Sequence, residues 1–244
     1  MSESAGPHSV ELMISRIDES TDRVLESVNT LSDEQVRAPS LLPGWSRGHV
    51  LAHIARNADG LRNLLTWAKT GVKTTQYASF EAREAEIEAG AGRSAAEQAE
   101  DIAASAKELS DLARELPAEA WLAEVQGMKG PVLPAWFTLE RRLFELEVHH
   151  VDLYAGYRSG DWPDWFVTDE LYRITGELTQ KPDAPSAVLT DLLTGRQYIV
   201  GAAGATDLEI TGHGHVLLAW LTGRSEGEEL TADPAGPLPS VPAY

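Results

Sequence analysis

Apolar residues recur at every third or fourth position through most of the first half of the chain, the spacing of helices that turn one face into a core. Met13, Ile17, Leu25 and Val28 lie on such a stripe, in a first helix that Ser9 can cap and that runs to about Leu31. The turn-rich stretch Ala38-Pro39-Ser40-Leu41-Leu42-Pro43-Gly44-Trp45 separates it from a second helix, opened by Ser46 and stopped at Gly71. A short helix over 79–89 precedes the breaker Gly90-Ala91-Gly92. Ser94 and Glu97 form a capping box for a third long helix that ends before Pro117. A loop containing Gly127, Gly130 and Pro131 leads to Pro134, where a fourth long helix begins; it continues to about Tyr154, with Gly156 just past its end. Four long helices with varied connections predict a four-helix bundle.

Beyond Ser159-Gly160-Asp161-Trp162-Pro163 the pattern changes. A helix over about 164–179 is followed by short β-like runs at 187–193, 197–201 and 207–211. A last helix over about 213–222 stops at Gly223, and a tail carrying Pro234, Pro237, Pro239 and Pro242 reads as extended. The expected class is therefore α+β, with a helical bundle over 1–158 and a small α+β domain over 159–244.

The fourth helix departs from an ordinary amphipathic pattern. On a helical wheel Glu145, His149 and Asp152 share one polar stripe, bordered by Arg141 and Arg142, while Glu147, His150 and Tyr154 fall on the opposite side. Leu139, Leu143, Leu146 and Leu153 fill one flank between them; Phe144, Val148, Val151 and Ala155 fill the other. A bundle helix has one solvent face, so one of the two polar stripes is expected to point inward, and the wheel alone does not say which. Chemistry favours the Glu145/His149 stripe, because a carboxylate and an imidazole one turn apart can converge on a single ion. The alternative is a salt-bridged surface made by Glu145, Arg142 and Asp152. The second helix offers the further imidazoles His49 and His53. His53 adjoins the apolar arc of Val50, Ile54, Leu61, Leu64, Leu65 and Ala68, and His49 sits about 40° further toward its edge. Arg56, Asp59, Arg62 and Asn63 mark the face expected to meet solvent. His53 is thus the better candidate to face another helix, as a ligand or as a histidine satisfied by a hydrogen bond.

Composition narrows the chemistry. There is no cysteine, so disulfides, thiolate metal sites and an internal thiol nucleophile are excluded. Any metal must be held by imidazole and carboxylate, and any thiol must come from outside. A formal charge of −18 repels phosphate backbones and argues against a nucleic-acid partner. No apolar run approaches a membrane span and no N-terminal signal pattern is present, so the expected setting is the cytoplasm without a membrane partner. Oligomeric state cannot be read from the sequence.

Three segments carry a family resemblance. "LLPGWSRGHVLAHIARN" resembles the N-terminal signature of the DinB-like, mycothiol-dependent maleylpyruvate isomerase family; "RRLFELEVHHVDLYAG" resembles its second signature, Arg-x-x-Glu-x-x-x-His-x-x-Asp; and "GHVLLAWLTGR" is similar to its C-terminal domain. The resemblance implies a divalent metal, usually zinc, held by His53, Glu145 and His149. It also implies a catalytic arginine in the C-terminal domain, matched by Arg224, whose fork suits the carboxylates of a keto acid substrate. An arginine there also suits the C-terminal end of a helix dipole. Asp152 then either orients a ligand imidazole or pairs with Arg141 or Arg142. His213 and His215 match only loosely and stay unassigned. The implied reaction is cis–trans isomerisation of maleylpyruvate to fumarylpyruvate with mycothiol as thiol cosubstrate, in a cleft between the two domains. The alternatives are a mycothiol S-transferase acting on another electrophile and a non-catalytic ligand-binding module.

Overall fold

Serine caps set the phase of the helices. In the computed structural model, which describes residues 10–181, 183–201 and 208–241, Ser46 and Ser94 each accept a hydrogen bond from the third backbone N–H of the helix they open. The proposed cap Ser9, the strand residue Asp207 and the tail residue Pro242 lie outside the described residues. The chain divides into two units, Met1–Tyr157 and Arg158–Tyr244.

In the first unit the helices are α1 (Val10–Val28), α2 (Asp33–Arg37), α3 (Arg47–Thr70), α4 (Phe80–Ala91), α5 (Ala95–Glu115) and α6 (Phe137–Asp152). α1 packs on α5 and α6, and α3 packs on the same two, so the four long helices close a ring; α4 lies against α3. Met13, Ile17 and Val24 of α1, Leu51, Ile54 and Leu65 of α3, Ile102 and Leu109 of α5, and Leu139 and Leu146 of α6 fill the interior. Gly71, in the left-handed conformation at φ 70°, ends α3 as expected.

Several boundaries differ from the sequence reading. α1 stops at Val28 rather than Leu31, because Ser32 and Gln35 form a capping box of their own and start α2. α4 continues through Gly90 to Ala91; without a Cβ, Gly90 fits against Ala52 of α3. The loop before the fourth helix contains a 3-10 turn (Ala118–Leu122) and an antiparallel hairpin of β1 (Glu124–Gln126) and β2 (Val132–Pro134). Pro134 pairs with Glu124 in that hairpin, so α6 cannot begin until Phe137.

The largest correction concerns α6, where both polar stripes face other helices: Glu147, His150 and Asp152 are buried, Glu145 and His149 half-buried, and only Tyr154 is exposed. α6 lies between α1 and α3. The Glu145 stripe faces α3. The opposite stripe faces α1, where Glu147 accepts hydrogen bonds from Ser20 (2.5 Å), Arg23 (2.5 Å) and Tyr157 (2.5 Å). His150 bonds Ser27 at 2.7 Å and stacks on Tyr157 at 3.8 Å. The face of α3 expected to meet solvent does so in part: Arg56, Asp59, Arg62 and Asn63 are half-buried, with Arg56 paired to Asp101, Arg62 to Glu108, and Asn63 donating to the Gln76 carbonyl.

The second unit holds α7 (Asp164–Thr179), β3 (Ala187–Asp191), β4 (Gln197–Val200), β5 (Glu209–Gly212), α8 (Gly214–Leu221) and β6 (Thr231–Asp233). The sheet order is β4-β3-β5-β6, with β3 and β5 parallel and the other pairs antiparallel. β3 stops at Asp191 because that carboxylate accepts from Leu193 N and Thr194 Oγ1 and so folds the next residues into a turn. β6 arises in the tail, where backbone pairing with β5 decides the structure and the side-chain pattern is silent. The protein is thus α+β. No helix among the described residues is long and apolar enough to cross a membrane.

The approach of α4 to α3 makes the first prediction. A Cβ on Gly48 would lie 2.1 Å from the Ala91 carbonyl oxygen, whereas one on Gly92 meets nothing within 4 Å. Gly48→Ala is expected to lower unfolding free energy by about 1–3 kcal/mol through overpacking. Gly92→Ala, at φ −85°, changes it by less than about 0.5 kcal/mol. Urea denaturation of the two variants compares them directly.

Candidate metal centre

α3 and α6 bring His53, Glu145 and His149 together. Each offers one ligand atom, and the three atoms lie within 4.8 Å of one another. His53 Nε2 is 2.9 Å from Glu145 Oε2, and His149 Nε2 is 3.1 Å from the same oxygen. The two imidazole rings stand nearly perpendicular, with centroids 4.6 Å apart. His53 is buried and the other two are half-buried, so the group sits at the edge of the core, where an ion and a small ligand have access. Trp45 packs edge-on against His53 at 5.7 Å and forms an apolar wall beside it.

The donor set fits a divalent metal. Two imidazoles and a carboxylate are a ligand trio that leaves further positions on the ion open. The surroundings of His149 support this. Asp152, itself buried, lies 2.8 Å from His149 Nδ1 and turns Nε2 toward Glu145. Of the two partners open to Asp152 in the sequence reading, the structure shows the imidazole. His49 is not part of the trio: its Nδ1 accepts from Ser46 N in the α3 capping box, and its Nε2 meets Glu88 at 3.0 Å.

Charge in the trio is tightly balanced. Burial by itself would raise Glu145, but hydrogen bonds from His149 and His53 hold its carboxyl well below the usual range. Burial opposes charge on His149 as well, yet its bonds to Asp152 and Glu145 prevail and raise it to about 9. His53 has no carboxylate on its second nitrogen, so burial dominates and lowers it.

Four neighbours complete the surroundings: sequence reasoning placed Arg142 only at the border of the stripe and did not single out Arg83, Tyr77 or Trp45. Arg142, fully buried, donates from Nη1 to the Ile54 carbonyl (2.7 Å) and to Asn57 Oδ1 (3.0 Å), tying α6 to α3 one turn beyond the ligands. Burial lowers it to about 10, against the pull of Glu145, and it remains a cation at neutral pH. Arg83, from α4, places Nη2 3.0 Å from His53 Nδ1. Tyr77 lies under the Arg83 guanidinium, 5.8 Å from ring centre to charge, and packs where Gly60 leaves no Cβ in its way. Burial and the nearby Glu145 push its phenol up to about 12, so it stays protonated. Trp45 is the fourth. Arg142 opens the second signature motif and was visible there; Tyr77 and Arg83 come from a loop and a short helix whose sequences carry no periodic signal.

Arg224 lies in the second unit, just after α8 and Gly223, and donates from Nη1 to the Thr222 carbonyl at 2.6 Å. His213 and His215 stack on each other at the start of α8, with ring centroids 5.8 Å apart.

An α+β chain whose helical unit gathers two imidazoles and a carboxylate at the core edge has the layout of a helix-borne metal site. Its lineage is specific: residues 17–154 match the mycothiol maleylpyruvate isomerase N-terminal domain, more than half of the chain, and the protein belongs to that family. A crystal structure of the mycothiol-dependent maleylpyruvate isomerase is similar at TM-score 0.88 and 29% identity, covering 97% of this chain and 98% of that one. A crystal structure of a histidine-to-alanine mutant of the mycothiol-dependent maleylpyruvate isomerase is similar at TM-score 0.88 and 28% identity, with the same coverage. No curated protein matches the chain.

The charge balance predicts how metal binding responds to pH. His149 must give up its Nε2 proton to become a ligand, and with its pKa near 9 it holds that proton at neutral pH. Zinc affinity is therefore expected to rise about tenfold per pH unit from 7 toward 9 and to level off above. In Asp152→Asn the plateau begins at lower pH and lies about 10–100-fold weaker. Chelator competition at several pH values measures both.

Proposed function

We propose that this protein is a metal- and mycothiol-dependent isomerase that converts maleylpyruvate to fumarylpyruvate. The observation that carries the reading is the convergence of His53, Glu145 and His149 in a chain of this family. The ring of α1, α5, α3 and α6 is read as a DinB-like four-helix bundle, with the trio on its two facing helices, α3 and α6.

Rotation about a carbon–carbon double bond requires that the bond become single. A thiolate adds its electron pair to one alkene carbon, and the π pair moves into the conjugated carbonyl as an enolate. The single bond turns, the pair returns, and the thiolate leaves with the trans alkene in place. The chain has no cysteine, so the sulfur belongs to a cosubstrate, consistent with mycothiol.

His53, Glu145 and His149 would hold a divalent ion, which when bound supplies Lewis-acid stabilisation and favours the thiolate over the thiol. Asp152 keeps His149 oriented for this task. Tyr77, protonated at neutral pH, is a hydrogen-bond donor beside Glu145. Trp45 excludes water from one side of His53. In this reading Arg224 grips a carboxylate of the substrate while the middle of the molecule rotates.

Purified protein with zinc, catalytic mycothiol and maleylpyruvate is expected to produce fumarylpyruvate, and a chelator to stop it. His53→Ala and His149→Ala are expected to lose both zinc and activity. Arg224→Met is expected to retain zinc but to lower kcat/KM about 100-fold, the weight of a charged hydrogen-bond pair. Stoichiometric consumption of thiol would instead mark S-transfer, and full zinc in either histidine variant would refute the ligand assignment.

A further inference from the structure

The two ligand imidazoles of the trio are treated differently by their surroundings. His149 Nδ1 faces a carboxylate, Asp152, which accepts a proton from it. His53 Nδ1 faces Arg83 Nη2 at 3.0 Å. A guanidinium can only donate, so here Nδ1 is the acceptor and the ring proton sits on Nε2, directed at Glu145. An imidazole that ligates a metal through Nε2 needs the reverse arrangement, with its proton on Nδ1. An N–H of Arg83 and an N–H of His53 cannot share that contact.

Arg83 is placed to leave it. Its side chain is 18% exposed, so it sits at the rim of the site. Its guanidinium lies over Tyr77, and its other terminal nitrogen pairs with the exposed Glu84 next to it in sequence. Tyr77 is in turn held beside α3, where the neighbouring Gln76 accepts from Asn63 through its carbonyl and from Met128 N through its side chain. A guanidinium on such a support can swing off His53 without leaving the site.

We propose that Arg83 is a carboxylate receptor coupled to the metal: ligation of His53 through Nε2 releases the guanidinium from Nδ1, and the freed fork binds a carboxylate of the organic acid substrate. This inference rests on the metal site proposed above. Arg83 is then a specificity-determining residue on the helical unit, in addition to Arg224. Metal and guanidinium compete for one imidazole, so removing Arg83 strengthens metal binding and weakens acid binding. A purely structural role would not move these two quantities in opposite directions.

The test uses the full chain stripped of metal. Arg83→Met keeps an unbranched side chain and removes the donor; Arg83→Lys keeps the charge without the planar fork. Zinc affinity is read by chelator competition, and binding of maleate, a cis dicarboxylate, to the zinc-loaded protein is read by calorimetry. Folded Arg83→Met, checked by circular dichroism, is expected to bind zinc about tenfold more tightly than the parent and maleate at least about tenfold more weakly. Arg83→Lys is expected to recover part of the maleate affinity. Zinc bound equally or less tightly by Arg83→Met, or maleate bound undiminished, overturns the role of Arg83 and leaves the metal site standing. A parent protein that takes up no zinc overturns the metal site and this inference together.

Discussion

A carboxylate taken out of water must be met by donors or by a cation, and Glu145 is such a carboxylate. It sits between α3 and α6 with both imidazole Nε2 atoms on one of its oxygens. An isolated buried charge would be prohibitive. The arrangement holds because His149, raised to about 9, carries positive charge there, and the same donor set suits a divalent ion in place of that proton. The features that position α3 and α6 serve this one contact. The Ser46 cap sets where α3 starts, and so which way His53 faces, while Arg142 clamps the two helices one turn further along.

The opposite face of α6 obeys the same rule by other means. Glu147 is as buried as the core apolar residues, but Ser20, Arg23 and Tyr157 satisfy it entirely from the protein. One helix thus presents a glutamate to each neighbour. Toward α1 the carboxylate is saturated by a hydroxyl, a guanidinium and a phenol, and it has structural work only. Toward α3 the other glutamate, Glu145, is met by two imidazoles, a donor set that suits a metal ion. The two glutamates differ in the partners across the interface, and only the imidazole pair adds further metal-binding donors.

Much of this was legible in the sequence. Caps, glycine stops and apolar periodicity located the long helices because those signals are local. Spacing made Glu145, His149 and His53 candidates only, and it was the family resemblance that singled them out as a trio. The wheel failed on one point: it assumed that a bundle helix has one wet side. In α6 the Glu147 stripe is covered by α1 and the Glu145 stripe only half-open beside α3, and no pattern within α6 reveals what covers either. β6 was missed for a similar reason, because an edge strand is defined by its backbone partner. Arg83 and Tyr77 were illegible because contact with His53 and Glu145 requires the chain to turn back between α3 and α4.

The electrostatics of the site run against those of the whole protein. At −18 the chain repels anions at a distance, yet the proposed substrate is an organic acid and its cosubstrate reacts as a thiolate. Screening resolves this, since in physiological salt exposed charges act over only about 8 Å. Within that radius the balance is local. Arg83 and the buried Arg142 stand among Glu84, Glu145, Asp152 and Asp59, and a divalent ion held by the trio would add the cationic charge needed to balance those carboxylates. Arg142 keeps its charge because its pKa remains near 10. With the ion bound, an anion reaching the trio would meet fixed cations within an otherwise acidic chain. That contrast favours a small acid that fits among the ligands over a large polyanion that would have to lie along the surface.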